Sequence, residues 1–105
     1  MKKYIVVFIT ASCLKEAGKI ADALLSKRFV ACVNIIKGVD SFFTWKRKKE
    51  RAKEILLIAK TEFSRFSEVE KLVKKNHSYE TPEIIAIPIM TGNKEYLKWI
   101  EDSVR

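Results

Sequence analysis

Phe29–Thr61, FVACVNIIKGVDSFFTWKRKKERAKEILLIAKT, is the stretch on which the fold turns. Its ends, FVACVNII (Phe29–Ile36) and EILLIAKT (Glu54–Thr61), are short apolar runs rich in β-branched residues, and both read as strands. Lys37-Gly38 allows a bend or bulge, after which Val39–Trp45 continues extended. Then comes KRKKERAK, Lys46–Lys53, with six basic residues among eight. This run joins two strands and leaves no room for a helix. The spacing therefore predicts a long antiparallel hairpin with a charged tip. Its strands look longer than a domain of this size requires, so their ends should protrude past the sheet. An exposed apolar hairpin is an aggregation hazard unless another chain pairs with it. An oligomer is expected.

The flanking segments supply the rest of the sheet. Lys3–Thr10 (KYIVVFIT) is apolar on both faces and reads as a buried central strand. Ser12 is placed to N-cap a helix whose first turn holds Glu16. Leu14, Ala17, Ile20, Ala21, Leu24 and Leu25 carry its apolar stripe to about Arg28. Phe63 to about Asn76 repeats the helical pattern through Phe66, Val69, Leu72 and Val73. Glu83–Met90 (EIIAIPIM) is a strand whose Pro88 lacks an amide donor and marks an edge or a bulge. Gly92-Asn93 turns the chain into a last helix, Lys94–Val104. The order β-α-β-β-α-β-α predicts an α+β, ferredoxin-like antiparallel sheet with the first and third strands central and an extra C-terminal helix.

At 105 residues this is one domain, 1–105, and 48% hydrophobic residues supply a core without staples. The net charge of +8 constrains partners and solubility more than fold. Cys13 and Cys32 have neither zinc nor CxxC spacing. The opening MKKYIVVFIT superficially resembles a signal peptide, but Tyr4–Ile9 falls short of the roughly 7–15 residues of a signal core. No segment approaches the roughly 20 apolar residues of a membrane span. A cytoplasmic chain with reduced thiols is expected.

The chemistry-bearing residues concentrate in NHSYETPEII, Asn76–Ile85. His77 follows a helix C-terminus, where the dipole favours a cationic side chain, and is expected to cap it; a ligand role is the alternative. Tyr79 can pack its ring on a neighbour and donate its hydroxyl to a carboxylate. Glu80 or Glu83 beside His77 would make only a weak metal site, because no spacing fixes the ligands. Cys32 reads as a small buried hydrophobe, and Cys13, in a first helical turn, is the more reactive thiol. The Lys46–Lys53 run could track nucleic-acid phosphates behind the stacking aromatics Phe42, Phe43 and Trp45. No RNA-binding aromatic motif accompanies it, so a solvated tip guarded by lysines is expected and nucleic acid is the alternative. There is no phosphate loop, Ser/His/Asp order, paired-carboxylate signature or nucleophile elbow. A hydrolase or transferase using Glu80 and His77 ranks last.

Several pieces recur in a fixed order along nearly the whole chain. They are Thr10-Ala11, KRFVACVNII (Lys27–Ile36), SFFTW (Ser41–Trp45), Glu54 with Ala59-Lys60-Thr61, HSYETPEIIAIPI (His77–Ile89) and EYLKWI (Glu95–Ile100). Together they resemble the CutA family, the divalent-cation-tolerance proteins, most specifically in H-x-Y-x-x-P-E (His77–Glu83) with the ACVN strand. The resemblance implies a non-enzymatic homotrimer whose long hairpins pair across subunits, related in fold to the PII signalling proteins. It implies a role in tolerance of copper and other divalent cations. It also implies an inter-subunit cleft lined by Cys32, Trp45, Lys60, His77, Tyr79 and Glu80. Such a cleft would take a metal ion or a small anion, with Lys60 and His77 suited to the anion. The sequence departs from the family pattern at Arg47, where the hairpin has glycine, at Lys49, an apolar position, and at Ser78, a proline position. Family members with a copper site carry a cysteine and two histidines where this chain has Ile9, Asn76 and His77, so only His77 keeps a ligand side chain.

Overall fold

The computed structural model describes residues 3–105; the first two residues of the MKKYIVVFIT opening lie outside the described residues. The elements are β1 (Tyr4–Ala11), α1 (Leu14–Ser26), β2 (Cys32–Trp45), β3 (Lys48–Glu62), α2 (Phe66–Lys75), β4 (Ile84–Pro88) and α3 (Lys94–Ser103), with one 3₁₀ turn at Phe63–Arg65. The sheet runs β2-β3-β1-β4, every pair antiparallel, with β1 and β3 central. This is the expected ferredoxin-like arrangement. Pro88 sits on β4, an edge strand that pairs only with β1, where a missing amide leaves no partner unsatisfied.

One face of the sheet makes the core. The register sets Ile5, Val7 and Ile9 beside Thr61, Ala59 and Leu57. Ala17, Ile20 and Leu24 of α1 and Val69 and Val73 of α2 close over them, all buried. Each Val, Leu or Ile side chain among them contributes about 1.5–3 kcal/mol on leaving water. α3 lies on the opposite face at the Tyr4 end, where Tyr4 Oη donates to Glu101 Oε1 at 2.8 Å. The rest of that face stays open: Ile36, Ile85 and Ile87 are 46%, 54% and 50% exposed.

The helix ends depart from expectation in detail. Cys13, not Ser12, is the α1 N-cap, and it makes no side-chain capping bond. Instead Glu16 reaches back past the cap and accepts from Ser12 N–H at 2.9 Å. At the other end Arg28 takes φ 59°, the left-handed position where glycine is usual. Its guanidinium then donates to the Ser103 and Asp102 carbonyls, tying α1 to the end of α3.

The hairpin dominates the shape. β1 covers only Ile55–Glu62 of β3, so Lys48–Glu54 and their partners Val39–Trp45 leave the sheet as a two-stranded ribbon. At about 3.3 Å per residue the ribbon is roughly 23 Å long. It stretches the molecule to 44 × 26 × 23 Å. The expected bulge lies between Ile36 and Val39, with Gly38 at φ 79°. The basic run is not all tip, however. Trp45 pairs with Lys48, so the loop is Lys46-Arg47 alone, both at positive φ, and Lys48–Lys53 is strand. Asp40 neutralises part of it, lying 3.8 Å from Arg51 and 3.0 Å from Lys53.

Candidate functional site

The loop from α2 to β4 lies against the end of β1, where the ribbon leaves the sheet. Asn76, not His77, caps α2: its backbone N–H donates to Val73 O and its Nδ2 to Leu72 O at 2.9 Å. Freed of that task, the His77 ring turns inward and is wholly buried. Its Nε2 lies 2.6 Å from the Thr10 carbonyl, which can only accept, so Nε2 carries the proton. Tyr79 N–H donates to Nδ1 at 3.1 Å. The two partners together demand the neutral Nε2–H tautomer. The 3.8 Å approach of Glu16 Oε1 to Nδ1 is therefore not an ion pair.

Glu16 anchors the loop by another route. Its carboxylate accepts from Ser12 N–H, from Ser12 Oγ at 3.1 Å and from Ser78 N–H at 2.8 Å. Burial pushes the carboxyl upward, but the Ser12 and Ser78 donors outweigh it and hold it at about 2. Tyr79 completes the chain of contacts. Its ring lies 4.8 Å from the His77 ring at 52°, and its hydroxyl donates to Glu54 Oε2 at 2.8 Å. Burial first, and then the Glu54 carboxylate, pushes the phenol up to about 12. Packing and a carboxylate partner were both expected of Tyr79; Glu54 as that partner was not.

These contacts floor a groove of about 830 Å³. Thr10, Glu54 and Tyr79 form its base, Phe43, Trp45 and Glu50 its ribbon wall, and Glu80 and Glu83 its rim. Glu54 is only 7% exposed, yet no cationic side chain pairs with it among the described residues. Burial, and then the charge of Glu54, raises the Glu83 carboxyl. Four glutamates against Arg51 make the groove lining acidic on a chain of net charge +8.

The six expected cleft residues divide. Trp45, Tyr79 and Glu80 line the groove, and His77 lies beneath it through Thr10. Cys32 and Lys60 pair with each other at the far end of the hairpin, where Lys60 Nζ donates to Asn34 Oδ1 and lies 3.8 Å from Cys32 Sγ. Neither Cys32 nor Lys60 lines the groove, and Lys60 and His77, the cations expected to favour a small anion, are both outside its lining. Nor do the family copper positions suit that metal. Ile9 is a fully buried core side chain, Asn76 is spent on its helix, and both His77 nitrogens are engaged. Copper prefers imidazole and thiolate, and none is free there. Among the described residues no group of three or more His, Cys, Asp or Glu is arranged to hold a metal ion. Glu16 was read only as a first-turn acid of α1 and Glu50 only as part of the basic run, because nothing in their local pattern ties either to this site.

Comparison with known proteins agrees with this fold. The model of the CutA1 divalent ion tolerance protein family matches residues 5–103. The chain belongs to that family. The divalent-cation tolerance protein CutA of Archaeoglobus fulgidus is 50% identical over 98 residues, covering 93% of this chain and 95% of that protein. The chloroplastic CutA 1 of Oryza sativa is 44% identical over 102 residues, covering 96% of this chain but 57% of the rice protein. Among solved structures, the Thermus thermophilus divalent cation tolerance protein superposes with a TM-score of 0.95 at 39% identity, covering 97% of this chain and 99% of that one. A structure described as the periplasmic divalent cation tolerance protein of A. fulgidus gives 0.94 at 48% identity, covering 97% and 99%. The names of the A. fulgidus and T. thermophilus relatives place them in cation tolerance, and none of these names assigns a reaction.

Proposed function

We propose that this CutA1 family member works as a cytosolic, non-enzymatic homotrimer that contributes to divalent cation tolerance through clefts completed between subunits. The ribbon carries the reading. Seven residues of each strand project beyond the sheet, and Phe42 on them is 71% exposed, with Phe43 and Trp45 also in solvent. The open face bearing Ile36, Ile85 and Ile87 adds apolar surface on the same molecule. Both are costly in water and are covered together if sister chains lie against them.

The groove favours a positively charged partner over a small anion, because Glu50, Glu54, Glu80 and Glu83 outnumber Arg51 in its lining, and Asp40 already lies 3.8 Å from that guanidinium. No helix among the described residues is long and apolar enough to cross a membrane.

Calorimetric titration of zinc and copper into reduced wild-type protein and its His77→Ala variant tests the reading, with mass followed in the same samples. Superimposable isotherms on a three-chain particle are expected. Loss of copper binding in His77→Ala would restore the imidazole as a ligand and overturn the assignment.

A further inference from the structure

The ribbon and the groove carry opposite charges that find no partner within one chain. Among the described residues, Glu50, Glu54, Glu80 and Glu83 pair with no cationic side chain, and Lys46, Arg47, Lys48 and Lys49 with no carboxylate. Arg51 and Lys53 are already held by Asp40, so the unpaired cations sit at the tip. They cannot fold back onto the base of their own groove. Lys48 and Glu54 lie on one extended strand, separated by roughly 20 Å at about 3.4 Å per residue. A two-residue loop gives the tip no slack to return.

We propose that the basic tip of one copy seats in the acidic groove of the next, so that Lys46–Lys49 supply the cations that Glu54, Glu80 and Glu83 lack. The inference rests on the trimer reading above and names the contact that closes it. Tip and groove are different patches, which makes the contact head-to-tail, and a head-to-tail contact closes into a ring when its rotation allows. Glu54 gives the strongest reason. A carboxylate 7% exposed, with one tyrosine hydroxyl and no counter-charge, carries a desolvation cost that a neighbour's ammonium offsets. The groove is then incomplete without a second chain.

Paired charge reversals test the contact. Lys48→Glu with Lys49→Glu inverts the tip, Glu80→Lys with Glu83→Lys inverts the rim, and all four positions are exposed, so the fold has no reason to fail. Dissociation is followed by analytical ultracentrifugation over a dilution series at low and high salt. Each pair alone should raise the dissociation constant by about tenfold or more at low salt. The chain carrying all four changes, with the signs exchanged, should recover wild-type assembly. A wild-type trimer indifferent to either pair overturns this contact and leaves the trimer standing. A tip that instead binds a mixed-sequence oligonucleotide through Lys48 and Lys49, with assembly untouched, assigns it to phosphates and also overturns it. A monomeric wild type removes the trimer and the contact together.

Discussion

Glu16 joins pieces of chain that no local pattern connects: it holds Ser12 at the start of α1 and Ser78, 62 residues away in sequence. Its folded carboxyl titrates at about 2, below the ordinary 4.5. The contribution is therefore fully present above about 4.5 and is lost as the pH falls toward 2. The full difference corresponds to at most about 3 kcal/mol. In urea unfolding at neutral pH, Glu16→Gln should cost about 1–3 kcal/mol. The gap from wild type should close as the pH is lowered through that window. A gap that stays constant would mean the donors recognise shape rather than charge. At Tyr79 the expected cost is of another kind. Tyr79→Phe leaves the Glu54 carboxylate buried without its hydroxyl donor, for about 1–3 kcal/mol. Ultraviolet titration should lose one phenol near 12 in that variant. If the phenol lost in that variant titrates instead at its ordinary value of 10.0, the burial of that hydroxyl is contradicted.

At the scale of elements, the turn is where sequence and structure diverge most usefully. Lys46 and Arg47 occupy a two-residue hairpin loop at φ 50° and 68°, which side-chain-bearing residues adopt at a cost. Arg47→Gly should raise stability by about 1 kcal/mol in chemical denaturation. A loss would show that the arginine makes a contact worth more than the strain. The same residues explain why the loop was illegible. Hairpin loops announce themselves through Asn-Gly or Asp-Gly, and without those the whole basic run read as tip. The strands were legible because apolar runs of β-branched residues leave few alternatives, and Pro88 marked its edge for a plain chemical reason. Caps were less so. Ser12 and His77 had the right chemistry one residue from the right place, while Cys13 and Asn76 held the cap positions. Within the candidate site, Tyr79 and Glu80 were found because they crowd one short loop. The separation of Cys32 and Lys60 from Trp45 was hidden until the strand register placed them at opposite ends of the hairpin.

For the molecule as a whole, the sheet has one face spent on the core and another that α3 covers only in part. β4 carries Ile85 and Ile87 outward on an edge strand, half in solvent. Such a surface is stable in a lone molecule only if it escapes other copies. Ile87→Lys should leave the protomer folded, since the side chain has no core contact to lose, and should drive the assembly toward single chains. Circular dichroism and sedimentation read the two effects separately, and an undisturbed assembly would place that face outside the interface.

The most direct measurement is the mass of the wild-type particle by light scattering at micromolar concentration. A value three times the 12.2 kDa of the chain is expected, holding through dilution. A stable 12.2 kDa particle would contradict it, for then the projecting ribbon and the open sheet face would stand in water uncovered.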